Sequence, residues 1–94
     1  MSETQNKILE QMNKALREIN PEMHLEEIDN GKYKLSTVKN TSWWVGYEME
    51  AKEIAKQLNE IADRVLSDDL RPLFIAKTEF APSSDLWFLI IHIT

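Results

Sequence analysis

Ninety-four residues suffice for one domain with a single core of roughly 30 buried side chains, and they leave no room for a second. The chain has no cysteine, which excludes a disulfide framework and thiolate metal sites and points to a reducing compartment. Sixteen acidic against eleven basic residues give a formal charge of −5, which disfavours non-specific attraction to nucleic acid or anionic membrane and favours a partner with a basic or neutral surface. With 43% hydrophobic residues, two glycines and three prolines, the composition is that of an ordered domain. The opening Met1-Ser2-Glu3-Thr4-Gln5-Asn6-Lys7 has no basic region followed by an apolar stretch, and no run reaches a spanning length, so a cytoplasmic protein is expected.

The first predicted element is an amphipathic helix over about Glu3 to Ile19. Ser2 and Gln5 have capping-box spacing, with Thr4 a competing cap, and Ile8, Leu9, Met12, Ala15, Leu16 and Ile19 recur at helical intervals. Asn20-Pro21 ends it, because the residue before proline is pushed out of the helical region. Asp29-Asn30-Gly31-Lys32 then marks a hairpin, since Asn-Gly is the favoured pair for a type I′ turn. The flanking strands are about Met23 to Asp29 and Lys32 to Val38. Leu25 and Ile28 do not share a parity, so the first strand is read as a bulged or edge strand, with Glu26 and Glu27 discouraging intermolecular pairing.

A second helix is expected over Trp43 to Asp68, on the stripe Trp44, Tyr47, Ala51, Ile54, Leu58, Ile61 and Val65. Thr41 or Ser42 is its candidate cap, and Gly46 in its first turn costs about 1 kcal/mol against alanine. A start nearer Tyr47, with Trp43 to Val45 as a short extra strand, is the alternative. Leu70-Arg71-Pro72 ends the helix, and Asp63, Asp68 and Asp69 oppose its dipole. Leu73 to Phe80 reads as a strand with Phe74, Ala76, Thr78 and Phe80 on one side and Leu73, Ile75, Lys77 and Glu79 on the other. Ala81-Pro82-Ser83-Ser84-Asp85 is a turn-forming link.

The most apolar run, Leu86 to Thr94, follows as a central strand. Trp87, Leu89, Ile91 and Ile93 make one wholly apolar face. Leu86, Phe88, Ile90, His92 and Thr94 make a second face, apolar at first and then polar, which suggests partial cover by a partner. The order is α-β-β-α-β-β, an α+β domain with a mainly antiparallel four-stranded sheet and two helices on one face. The two α-β-β halves show no residue pattern that aligns.

Chemical constellations are few. The two glycines are isolated, which argues against a P-loop or dinucleotide site, and no cofactor is expected. His24 and His92 lie on different strands and read as sheet-surface residues ahead of a metal pair. Ser83-Ser84-Asp85 is explained by turn chemistry, so no catalytic residue is expected. Trp43 and Trp44 are consecutive and diverge on either a helix or a strand, so one of them is expected at the surface, as a rim residue or an interface anchor. Glu22, Glu26, Glu27 and Asp29 crowd the hairpin, as an acidic recognition edge or as charges that keep that edge unpaired.

The function expected from these features is a small non-enzymatic protein-binding module of the inhibitor, immunity or phage anti-defence kind. It would cover a functional, basic site on a larger protein through Trp43, Trp44 and the acidic hairpin, with no direct contact to nucleic acid or membrane. The alternative is a homo-oligomeric small-ligand sensor or sequestering domain, and a homodimer stays open under both. A third reading is an escort for a secreted substrate, because the element order and acidity are similar to those of class I type III secretion chaperones, whose final helix has no counterpart here.

Overall fold

The computed structural model describes residues 3–29, 31–36, 41–42, 44–45 and 48–94, and at positions 29, 36, 41, 42, 44 and 45 it describes the backbone alone. Helix α1 (Glu3–Ile19) turns its stripe of Ile8, Met12, Ala15 and Leu16 inward. Strands β1 (His24–Asp29) and β2 (Lys32–Ser36) form the expected hairpin, with Asp29 opposite Lys32 and a register shift between Glu27 and Asp29. Gly31 takes φ +77°, which an Asn-Gly turn demands and which glycine adopts without steric cost.

Two short strands follow, β3 (Thr41–Ser42) and β4 (Trp44–Val45), and then helix α2 (Glu48–Val65). The second helix is therefore shorter at both ends than Trp43 to Asp68. At its start, Trp44 and Val45 are drawn into pairing with the last strand, a ladder that a helix beginning at Trp43 would forgo. At its end, Asp68 and Asp69 fall beyond the last turn, where they no longer oppose the dipole. Ser67 C=O accepts from the N–H groups of Leu70 and Arg71, and a 3₁₀ turn (Arg71–Leu73) leads out of this corner.

Strands β5 (Phe74–Ala81) and β6 (Leu86–Ile93) pair along their whole length. Between them Asp85 takes φ 54°, a conformation aspartate tolerates in turns. Strand β6 is central, as its composition predicts. One edge carries β5, and the other carries β2 at Lys32 and Tyr33 and then β4 at Trp44 and Val45. Strand β3 pairs with the far end of β2. The main path is thus β1-β2-β6-β5, antiparallel throughout, with β1 and β5 at its edges among the described residues.

Both helices lie on one face. Ile8, Met12 and Leu16 of α1 and Ala55, Leu58 and Ala62 of α2 join Leu25, Tyr33, Phe74, Leu89, Ile91 and Ile93 of the sheet in one continuous core. Each fully buried isoleucine or leucine there contributes about 2 kcal/mol by removal from water. Among the described residues no helix is long and apolar enough to cross a membrane.

A correspondence between the two halves emerges at the sheet edges. Asn13 of α1 accepts from Leu25 N–H at 2.6 Å and donates to Leu25 C=O at 3.3 Å. Asn59 of α2 accepts from Ala76 N–H at 3.1 Å and donates to Ala76 C=O at 2.8 Å. A carboxamide carries the same donor and acceptor as a peptide group, so each asparagine stands where the next strand would be. The two sit in matching stretches, Gln11-Met12-Asn13 and Gln57-Leu58-Asn59, each preceded by an isoleucine, Ile8 or Ile54. The halves therefore do align, in their helices. The strands hide the match, and the apolar stripe alone is common to any amphipathic helix.

Candidate functional site

The helices cover one face of the sheet and leave the other open. Alternation along β6 sends Leu89, Ile91 and Ile93 inward, where they are buried, and turns Phe88, Ile90 and His92 to the open face, where they are half-buried. On β5 the same alternation puts Phe74 and Ala76 inside and leaves Ile75, Lys77 and Glu79 outside, with Ile75 47% exposed. The unshared parity of Leu25 and Ile28 has its explanation here: Leu25 is in the core, and Ile28, 49% exposed at the bulge, reaches the open side. Ile28, Ile75, Phe88 and Ile90 line a shallow groove of about 810 Å³ that also takes in Lys32, Lys77, Glu79 and His92.

The groove is anchored at one end by the hairpin tip. Gly31 is buried, its C=O accepts from Ile93 N–H at 2.9 Å, and a Cβ at this position would lie 3.0 Å from His92 Nε2. The close approach of that ring to bare backbone is what seats His92 opposite Lys32. On the helix-covered side of the sheet Phe80 packs on Trp87 with ring centroids 5.4 Å apart, and Lys52 Nζ of α2 lies 5.4 Å from the centre of the Trp87 ring. Phe80 is 40% exposed.

The carboxylates of the hairpin do not share one face. Glu26 accepts from His24 Nε2 at 2.7 Å and lies 3.6 Å from Lys34 Nζ. The His24 hydrogen bond, followed by the nearby positive charges, holds its carboxyl below the usual 4.5. Glu27 stands opposite Tyr33 on the other side of the ladder, and Glu22 is exposed in the turn before β1, where its N–H donates to Asn20 Oδ1 at 3.1 Å. Asp29 closes β1 through its backbone. Trp43 lies outside the described residues, whereas the Trp44 backbone pairs with Phe88, so β4 borders the open face.

Comparison with family models, curated proteins and solved structures finds no match. What the chain offers chemically is read from its own surface. His24 and His92 are on strands that are not neighbours, and no group of three metal-ligating side chains occurs among the described residues. Ser83, Ser84 and Asp85 form the β5–β6 turn, with Ser84 N–H donating to Ala81 C=O at 3.2 Å. The open face is a shallow concave surface lined mainly by apolar side chains. Sequence reasoning reached its β6 half through alternation and missed Ile28 and Ile75, whose outward parity on β1 and β5 was the available signal.

Proposed function

We propose that the chain is a non-catalytic protein-binding module of the inhibitor, immunity or anti-defence kind, acting in a reducing cytoplasm by docking its open sheet face over a functional site on a larger protein. One observation supports this: antiparallel sheets with a solvated face are polar on that face, whereas here Ile28 and Ile75 are about half exposed beside the half-buried Phe88 and Ile90 on the face opposite the helices. The excess of carboxylates lies elsewhere, on α2 and the turn after it, where Glu48, Glu50, Glu53, Glu60, Asp63, Asp68 and Asp69 outnumber Lys52, Lys56 and Arg64. That distribution draws a basic partner from a distance and leaves the apolar face to make the contact.

The experiment is capture of host proteins on the immobilised chain, repeated with Ile75→Glu, whose side chain is outside the core. The expected result is one larger protein retained by the native chain and reduced at least about tenfold by the charge, with circular dichroism unchanged. Equal retention by a folded Ile75→Glu overturns the proposal. Trp43→Ala and Trp44→Ala, made separately, decide whether the tryptophan pair belongs to the same contact. A homo-oligomeric small-ligand sensor or sequestering domain is the second reading, favoured by a groove of about 810 Å³ with Lys32, Lys77 and His92 at its walls, a size within the range of ligand sites. It requires a metabolite to raise the melting temperature, which a module that binds only protein does not show.

A further inference from the structure

We infer that the open sheet face packs against the same face of a second copy of this chain, about a two-fold axis that crosses the Thr78–Leu89 rung. The inference rests on the reading of this face as a docking surface: the second copy covers it in the free protein and gives way to the larger partner.

The edges of the sheet are closed to self-pairing. On β5, Asn59 holds both backbone groups of Ala76, and Arg71 Nη1 donates to Phe74 C=O at 2.9 Å. Peptide groups alternate in direction along a strand, so Thr78 and Phe80 are the remaining outward positions. An antiparallel pair of β5 strands centred on Thr78 would need Ala76, which Asn59 occupies. Centred on Glu79, it would place two like carboxylates opposite each other, and centred on Phe80 it would set Pro82, which has no N–H, against Thr78. Strand β1 is held at Leu25 by Asn13 and interrupted by its bulge.

The face, in contrast, is complementary to itself. Lys77 stands beside Ile90, Thr78 beside Leu89 and Glu79 beside Phe88. A two-fold axis parallel to the sheet and perpendicular to its strands at the Thr78–Leu89 rung lays each β5 over its copy in the opposite direction. Lys77 of one copy then meets Glu79 of the other, twice, and Phe88 of one copy meets Ile90 of the other, twice. Unlike charges and apolar side chains are matched by one operation, which an isologous interface requires. Sheets pack face to face at about 10 Å and near −30°, a geometry that keeps these pairs in reach. Helix α2 and the turn after it, which carry most of the acidic excess, lie on the outer side of such a dimer, away from the contact. Strands of six, five, eight and eight residues (β1, β2, β5 and β6) present a flat area of about 430 Å² per copy at about 3.3 Å per residue and about 4.8 Å between strands, below the roughly 800 Å² of a standard interface, so dissociation in the micromolar range is expected.

The experiment is sedimentation equilibrium on the full chain from about 1 μM to about 500 μM, on the native protein and on Lys77→Glu, Glu79→Lys and the double exchange. Both residues are exposed, so folding is not at stake. The native chain is expected to dimerise, each single change to weaken the dimer by about tenfold or more, and the double exchange to restore it to within about threefold. A monomer throughout, or a dimer indifferent to the exchanges, overturns the inference. A monomer whose Ile75→Glu variant still loses capture of a larger protein sinks the second copy while leaving the proposed function standing. A dimer that obeys the exchange, in a chain whose Ile75→Glu variant captures as before, does the reverse.

Discussion

Tyr33 is buried to 1% exposure, yet its hydroxyl meets no hydrogen-bond partner among the described residues. Burial, with the Glu27 charge adding to it, pushes its ionisation above the ordinary value of 10. A group whose folded pKa is raised contributes stability that is complete below the unfolded value and is lost as pH climbs through the folded one. The native protein should therefore weaken above pH 10, more steeply than Tyr33→Phe, in urea titrations at stepped pH. At neutral pH the same substitution removes an unpaired polar atom and should be neutral or stabilising by up to about 1 kcal/mol. A loss beyond about 1 kcal/mol would show that the hydroxyl has a partner in the folded protein. Gly31 gives the opposite sign. Alanine there must accept φ +77° and push against His92 Nε2 and the Ile93 carbonyl, so Gly31→Ala should cost about 2 kcal/mol and speed exchange of the Ile93 amide.

At the scale of the element, the two edge strands depend on single side chains from the helices above them. Removing Asn59 leaves the N–H and C=O of Ala76 without partners in a half-buried setting, and removing Asn13 does the same to Leu25. Asn59→Ala and Asn13→Ala should each cost about 2 to 3 kcal/mol by denaturant unfolding, with faster hydrogen exchange at Ala76 or Leu25 respectively. Asn59→Asp keeps the acceptor for the N–H but loses the donor to the C=O, and should fall between. An alanine variant within about 0.5 kcal/mol of the native protein would mean that water replaces the amide at no cost. Neither asparagine was legible as an edge cap, because a polar residue beside an amphipathic stripe normally faces solvent. The helix and strand periods themselves were legible. Glu3–Ile19 came from the apolar spacing and the proline stop, and β6 from its alternation. The start of α2 was obscured because Trp44 continues the helical stripe in sequence while the vacant edge of β6 recruits its backbone. Local pattern recorded the first fact, and only the tertiary pairing records the second.

For the whole molecule, the same division applies to the candidate site. A sheet face exists only once strands from both ends of the chain are assembled: Ile28 is separated from Ile75 and Phe88 by all of α2, and no local window joins them. Trp43, Trp44 and the hairpin acids stood out because they are neighbours in sequence, whereas Glu26 and Glu27 diverge in space. The two α-β-β halves meet in one core, in which Ile8, Met12 and Leu16 of the first touch the same cluster as Leu58, Ile91 and Ile93 of the second. Each half alone would expose its inner sheet face and one side of its helix, and a hairpin with a single helix has too little apolar area to offset its chain entropy. Unfolding should therefore be a single transition. Far-ultraviolet circular dichroism, which reports both helices, and tryptophan fluorescence, to which Trp87 of β6 contributes, should give coincident curves. Asn13→Ala, in the first half, and Asn59→Ala, in the second, should each move both curves together, and the double variant should be additive to within about 0.5 kcal/mol because the two edges are at opposite sides of the sheet. If Asn13→Ala shifted the circular dichroism while leaving the fluorescence transition in place, the halves would be separate folding units that only dock, and the shared core would not be what couples them.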